Sequence, residues 1–157
     1  MGVTDAAVQR LVASGYPDLG VIARGVTPPP RRSGRTTTEP PGPVMAIRLS
    51  VTGIRGGRDP DRLARCSYLL IVDVSKLGAA IPPAWIRTPA DRDIRHVNIW
   101  PSAKNYCTWA GGWLPSLCWN TFAAGWLQAP PSHRTLGNAL EYAKQLLNAE
   151  NHVSPAR

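Results

Sequence analysis

Between Val44 and Gly53 apolar and polar residues alternate, with Met45, Ile47, Leu49 and Val51 on one side and Ala46, Arg48, Ser50 and Thr52 on the other. A period of two is that of a strand with one buried face. Upstream, Val8, Leu11 and Val12 recur at helical spacing behind Thr4, a residue suited to an N-cap, and Gly15 closes the run; a helix over Asp5–Ala13 is predicted. Leu19–Val26 is β-branched enough for a strand, and Cys66–Ser75 is so continuously apolar that a central strand is expected. Pro82 and Pro83 stiffen the approach to a fourth, edge strand in Ala84–Thr88.

The periodicity then changes. Pro115–Gln128 is apolar nearly all round with proline at a first helical position, which predicts a helix buried on several sides. In Thr135–Glu150, Leu136, Leu140, Ala143 and Leu147 fall on one helical face, opposite Asn138, Glu141, Lys144 and Gln145. No connection between the four strands is long and helical enough for a parallel crossover, so they form an antiparallel meander. The expected class is α+β: an N-terminal helix, a four-stranded antiparallel meander, an irregular segment carrying the chemistry, then two helices. One domain over 1–150 with a short tail, 151–157, fits the length of 157 residues. Thr27–Pro43, rich in Pro, Arg and Thr, reads as an exposed loop.

Charge adds an acidic partner to this picture. The net charge is +8, and nine arginines between Arg24 and Arg65 face only Glu39, Asp59 and Asp61. Such a field attracts nucleic acid or an acidic protein surface. Cys66, Cys107 and Cys118 are odd in number and match no disulfide or zinc spacing, so free thiols in a reducing compartment are expected and no metal or cofactor. Asp5 and Arg10 interrupt any signal-peptide core, and Tyr68–Val72 is too short to span a bilayer; a cytoplasmic protein without membrane attachment is the expectation.

The chemistry concentrates in HVNIWPSAKNYCTWAGGWLP, His96–Pro115. Cys107 falls in a segment of Pro, Ser, Lys, Asn and Gly that reads as irregular surface chain, where functional residues gather. Asn98, nine residues before it, can supply an amide to a developing oxyanion, and His96 can brace the loop. A hydrolase needs a general base, and His96, His133 and His152 occupy no protease signature. Exchange between thiols of an already activated thioester needs little beyond an accessible cysteine and an oxyanion donor. Cys118, inside the predicted buried helix, and Cys66, at a strand start, read as core. Lys104 is the candidate for self-modification.

His96-Val97-Asn98-Ile99, Cys107, and Trp113-Leu114-Pro115 together resemble the ubiquitin-conjugating enzymes, whose pattern is His-Pro-Asn-Ile, a cysteine about eight residues after the asparagine, and Trp-x-Pro. The helix, the four-stranded meander and the Pro82-Pro83 turn are similar to that family in order, over roughly Asp5–Asn148. The chain differs from the pattern at Val97 and by one added residue before Cys107. The resemblance implies that Cys107 carries an acyl group as a thioester, that Asn98 assists attack by an amine, that His96 supports the loop, and that Trp113 and Pro115 pack beside the site. It also implies an activating enzyme, a ubiquitin-like protein or a cyclic-oligonucleotide synthase as donor, and an acceptor protein, in bacterial antiviral defence. Two alternatives stand beside it: an inactive binding module of the same fold, and a basic single-strand nucleic-acid binder that stacks bases on its tryptophans.

Overall fold

The computed structural model describes residues 2–25 and 42–157. The chain opens with α1 (Asp5–Ser14), then β1 (Gly20–Arg24), β2 (Val44–Ile54), β3 (Arg65–Asp73) and β4 (Ala84–Thr88). After a short turn at Asp91–Asp93 come β5 (Ile99–Cys107), β6 (Gly112–Leu117), α2 (Thr121–Gln128) and α3 (Leu136–Asn148). The strands form one six-stranded sheet in the order β1-β2-β3-β4-β6-β5, antiparallel at every pairing. The expected Thr27–Pro43 loop lies, apart from Gly42 and Pro43, outside the described residues, as does Val26.

The local signals account for the first half. The Thr4 hydroxyl accepts the Ala7 N–H at 3.2 Å, occupying one of the donors that a helix start leaves unpaired. Gly15 ends α1 with φ 141°, a conformation that side chains with a Cβ rarely adopt. In β2, Ile47, Leu49 and Val51 are buried and alternate with exposed Arg48, Ser50 and Thr52. They join Leu70, Val72, Ile86 and Ile99 of the sheet and Val8, Leu136, Leu140 and Leu147 of the helices in one apolar core. α3 lies so close to β2 that a Cβ on Gly53 would sit 2.4 Å from the Leu147 carbonyl oxygen.

Several expectations are corrected, beginning with the strand count, which is six where four were expected. The segment Asn98–Cys107, expected to be irregular, is mostly the strand β5, and Pro115–Gln128 is not one helix. Its first residues belong to β6, which pairs with β5 along its length and with β4 at Trp85–Ser116; α2 begins only at Thr121. A short apolar run satisfies a buried strand as well as a helix, so burial alone did not distinguish them. Strands four and six are thereby neighbours, and Ala84–Thr88 is interior where an edge was expected. The hairpin is irregular: Trp100 pairs with Ser116 and Asn105 with Leu114, so five steps along β5 match two along β6.

The tail is held. The Ala156 N–H donates to the Val97 carbonyl at 2.7 Å, and the Arg157 guanidinium reaches the Ile99 carbonyl at 2.9 Å and the Asp91 carboxylate.

Candidate active site

The histidine and asparagine of HVN bind the end of α3. The last carbonyls of any helix lack intrahelical partners. Here His96 Nε2 donates to the Leu147 carbonyl at 3.0 Å, while Asn98 Nδ2 donates to the carbonyls of Leu146 at 2.8 Å and Ala149 at 2.7 Å. The Asn98 Oδ1 accepts the Asn151 N–H at 3.1 Å. His96 Nδ1 accepts the Asn98 N–H at 3.2 Å, which fixes the neutral tautomer with its proton on Nε2. Burial pushes the His96 imidazole below its ordinary value, more than the neighbouring Glu150 carboxylate raises it. That carboxylate in turn accepts the N–H groups of Gly57 at 2.8 Å and Val97 at 3.0 Å. HVN is thus a clasp, and both of its side chains are fully engaged.

Cys107 ends β5 with no exposed surface, against Ile71 and Trp85 and beneath Trp109, Ala110 and Leu114. Ile71 and Trp85 are register partners whose strand neighbours Leu70 and Ile86 enter the main core, so this cluster occupies the opposite face of the sheet. Burial pushes the Cys107 thiol up, and the backbone N–H groups of Ala110 and Trp109 offset only part of that. Asn98 and Cys107 are also far apart. Ile99 pairs with Leu117 and Cys107 with Gly112, and five steps along β6 at 3.3–3.4 Å each separate the hairpin's ends by roughly 17 Å. The expected pairing of an oxyanion donor with an accessible thiol at Cys107 does not form.

The cysteine that meets Asn98 is Cys118. Its N–H donates to the Asn98 carbonyl at 2.8 Å, which places it at the clasp end of the hairpin. Cys118 is partly exposed, and its Sγ donates to Asn120 Oδ1 at 3.6 Å. Asn120 is the single non-glycine residue with positive φ among the described residues, at φ 53° and ψ −134°. This costs conformational energy, and residues held so are concentrated at functional sites. The bend at Asn120 turns β6 into α2 and carries the side-chain amide back to the thiol. Among the described residues the Asn120 Nδ2 group has no hydrogen-bond partner, in contrast to that of Asn98.

Cys118 and Asn120 line a cavity of about 500 Å³ walled by Ile81, Trp85, Trp100 and Trp119. Arg134 fixes one boundary of the neighbouring helix: its guanidinium donates to the carbonyls of Trp126, Leu127 and Ala129, at the end of α2, and of Gly78. Trp126 itself is buried and donates to the Leu77 carbonyl at 3.0 Å.

The remaining expected site residues are dispersed. Trp113 is 57% exposed and meets the Tyr106 ring edge-on at 5.5 Å, whereas Pro115 is buried within β6. Lys104 lies over the Trp100 ring at 4.9 Å. The sequence signal for this arrangement was Gly111-Gly112, a turn pair between two apolar runs. Gly111 has φ 66° in the hairpin turn. Reading that pair as a hairpin places Cys118 beside Asn98 and leaves Cys107 at the far end.

Among the described residues no group of three or more His, Cys, Asp or Glu side chains is gathered for a metal ion, and no helix is long and apolar enough to cross a membrane. In comparison with known proteins, no family model, no curated protein and no solved structure matches the chain.

Proposed function

We propose that the chain is an acyl transferase of the ubiquitin-conjugating kind, which carries its acyl group as a thioester on Cys118. The observation that carries the reading is a partly exposed thiol at a cavity wall that donates to Asn120 Oδ1 at 3.6 Å, Asn120 itself being held in a strained backbone conformation. The Asn120 Nδ2 group, which has no partner among the described residues, has the chemistry to stabilise an oxyanion on the bound carbonyl. His96 uses both ring nitrogens within the clasp and has none for the thiol. That favours exchange of an activated thioester over hydrolysis of an amide, which needs a base beside the nucleophile.

The chain order supports the same reading: a helix, an antiparallel meander, a Pro-Pro turn, HVN, a cysteine and two helices. Cys118 stands twenty residues after Asn98 and beyond Trp113-Leu114-Pro115, outside the family's spacing; what favours it over the buried Cys107 is its position beside Asn98 and its exposure. The donor is a ubiquitin-like protein or the C-terminus of a cyclic-oligonucleotide synthase, loaded by an activating enzyme and passed to an amine of an acceptor protein, in bacterial antiviral defence.

The test combines activating enzyme, donor and this protein on a non-reducing gel. A thiol-sensitive adduct is expected in the native protein and in Cys107→Ala, and its loss in Cys118→Ala. An adduct that persists in Cys118→Ala overturns the assignment.

A second reading, a binding module without catalysis, has one observation in its favour. On the sheet face that holds Cys107, Arg48 and Arg87 flank a cavity of about 370 Å³ with Ile71 and Trp109, and neither has an ion pair among the described residues. An acidic partner suits such a surface. Full cellular function in Cys118→Ala would favour it.

A further inference from the structure

Three indole N–H groups are buried without a hydrogen-bond partner among the described residues: those of Trp85, Trp109 and Trp119. Trp109 covers the Cys107 cluster, but Trp85 and Trp119 both line the cavity beside Cys118. Trp85 is only 6% exposed. Neither of these two N–H groups has accessible surface, so a ligand in the cavity meets the apolar parts of the two rings.

The other walls are mostly of the same kind. Ile81, Pro83, Ala84, Trp100, Leu117 and Ala123 are apolar, and the polar pair at Asn105 and Ser116 is already closed on itself by a hydrogen bond. At about 500 Å³ the space falls in the range of small-ligand sites. A tail ending in two glycines has no side chain to set against these walls and leaves them in water. An aromatic or branched side chain removes them from it, and the gain scales with the apolar area covered.

We infer that the cavity beside Cys118 is a specificity pocket for a bulky apolar side chain, aliphatic or aromatic, at the penultimate residue of the acyl donor. The inference rests on the thioester reading of Cys118. The penultimate residue stands one extended step, about 3.3 Å along the chain, from the residue bearing the reacting carbonyl. Cys118 is itself a wall of the cavity, so that reach suffices. In the loading step the Cys118 thiolate attacks the donor's thioester carbonyl. A new carbon–sulfur bond forms, the bond to the leaving thiol breaks, and the leaving thiolate takes up the proton that Cys118 released.

The experiment uses hexapeptide thioesters of mercaptoethanesulfonate that end in Gly-Gly, Leu-Gly or Phe-Gly. The reacting carbonyl then always belongs to glycine and has the same intrinsic reactivity. Loading of the full chain is followed by intact mass. At limiting peptide, Leu-Gly or Phe-Gly is expected to load Cys118 at least tenfold faster than Gly-Gly. Ala123→Trp, which places bulk on the α2 wall, should remove that preference by slowing the bulky peptides alone. Ile81→Trp fills the same space from the segment before β4 and serves if the helix variant misfolds. Equal rates for all three peptides on Cys118 would overturn the pocket while leaving the thioester reading intact. Loading of none of them on Cys118, in protein whose circular dichroism is native, would overturn both.

Discussion

The backbone carbonyl of Asn98 accepts the Cys118 N–H at 2.8 Å, while the Asn98 side chain turns to the end of α3, 2.7 Å from the Ala149 carbonyl. One residue thus ties the thiol-bearing turn to the last helix. Asn98→Ala removes the donors to the buried Leu146 and the more exposed Ala149 carbonyls and an acceptor from Asn151, and a loss of about 2–3 kcal/mol is expected. Urea titration should show the midpoint fall with the slope unchanged. Unaltered stability with lost activity would show instead that the amide acts in the chemistry.

The three thiols differ in access. Iodoacetamide on the native protein should modify Cys118 and Cys66, both partly exposed, and leave Cys107 untouched until denaturant is added. Peptide mapping by mass spectrometry reads this directly. Early labelling of Cys107 would mean that the turn over it opens.

Stability should fall on the acid side through His96. Burial holds its folded value below the ordinary 6.5, near which the unfolded chain titrates. Below about pH 6.5 the unfolded state therefore binds the proton first, and stability declines as pH drops toward the folded value. His96→Gln should be less stable at neutral pH, yet lose less between about pH 7 and 5. Melting temperatures of both proteins across that range provide the check; parallel curves would contradict it.

Gly53 sets how closely α3 approaches the sheet. Gly53→Ala puts a methyl group against the Leu147 carbonyl and Cβ, so α3 must shift at a cost of about 1–3 kcal/mol. The shift should also loosen the clasp, seen as faster hydrogen exchange at Asn151, whose N–H reports on Asn98.

These residues also mark what local pattern reveals. Thr4, Gly15 and the alternation in β2 carry their structure within a few neighbours, and the helix and strands they predict are present. α3 was legible for the same reason, from its spaced leucines. The β5–β6 hairpin was not. Its strand pairing is decided by contacts across a turn, and tryptophan, leucine and proline in a row satisfy a buried strand and a buried helix alike. The partners of Asn98 lie beyond local pattern in another way. A side-chain amide near a cysteine in sequence looks catalytic, but the carbonyls it binds belong to residues about fifty positions later. Trp-Leu-Pro drew attention to Cys107, whereas the turn at Gly111 and Gly112 was the signal that mattered.

The mismatch between β5 and β6 has a consequence for how the molecule meets its own copies. β5 is the outermost strand on its side of the sheet, and an outer strand offers unpaired N–H and C=O groups that a second chain can zip onto. In β5 that template is broken. Pro101 lacks a donor, the register slips between Trp100 and Asn105, and Lys104 brings a positive charge to the rim. A strand approaching this edge finds neither an even spacing nor a neutral surface, which disfavours edge-to-edge pairing on that side.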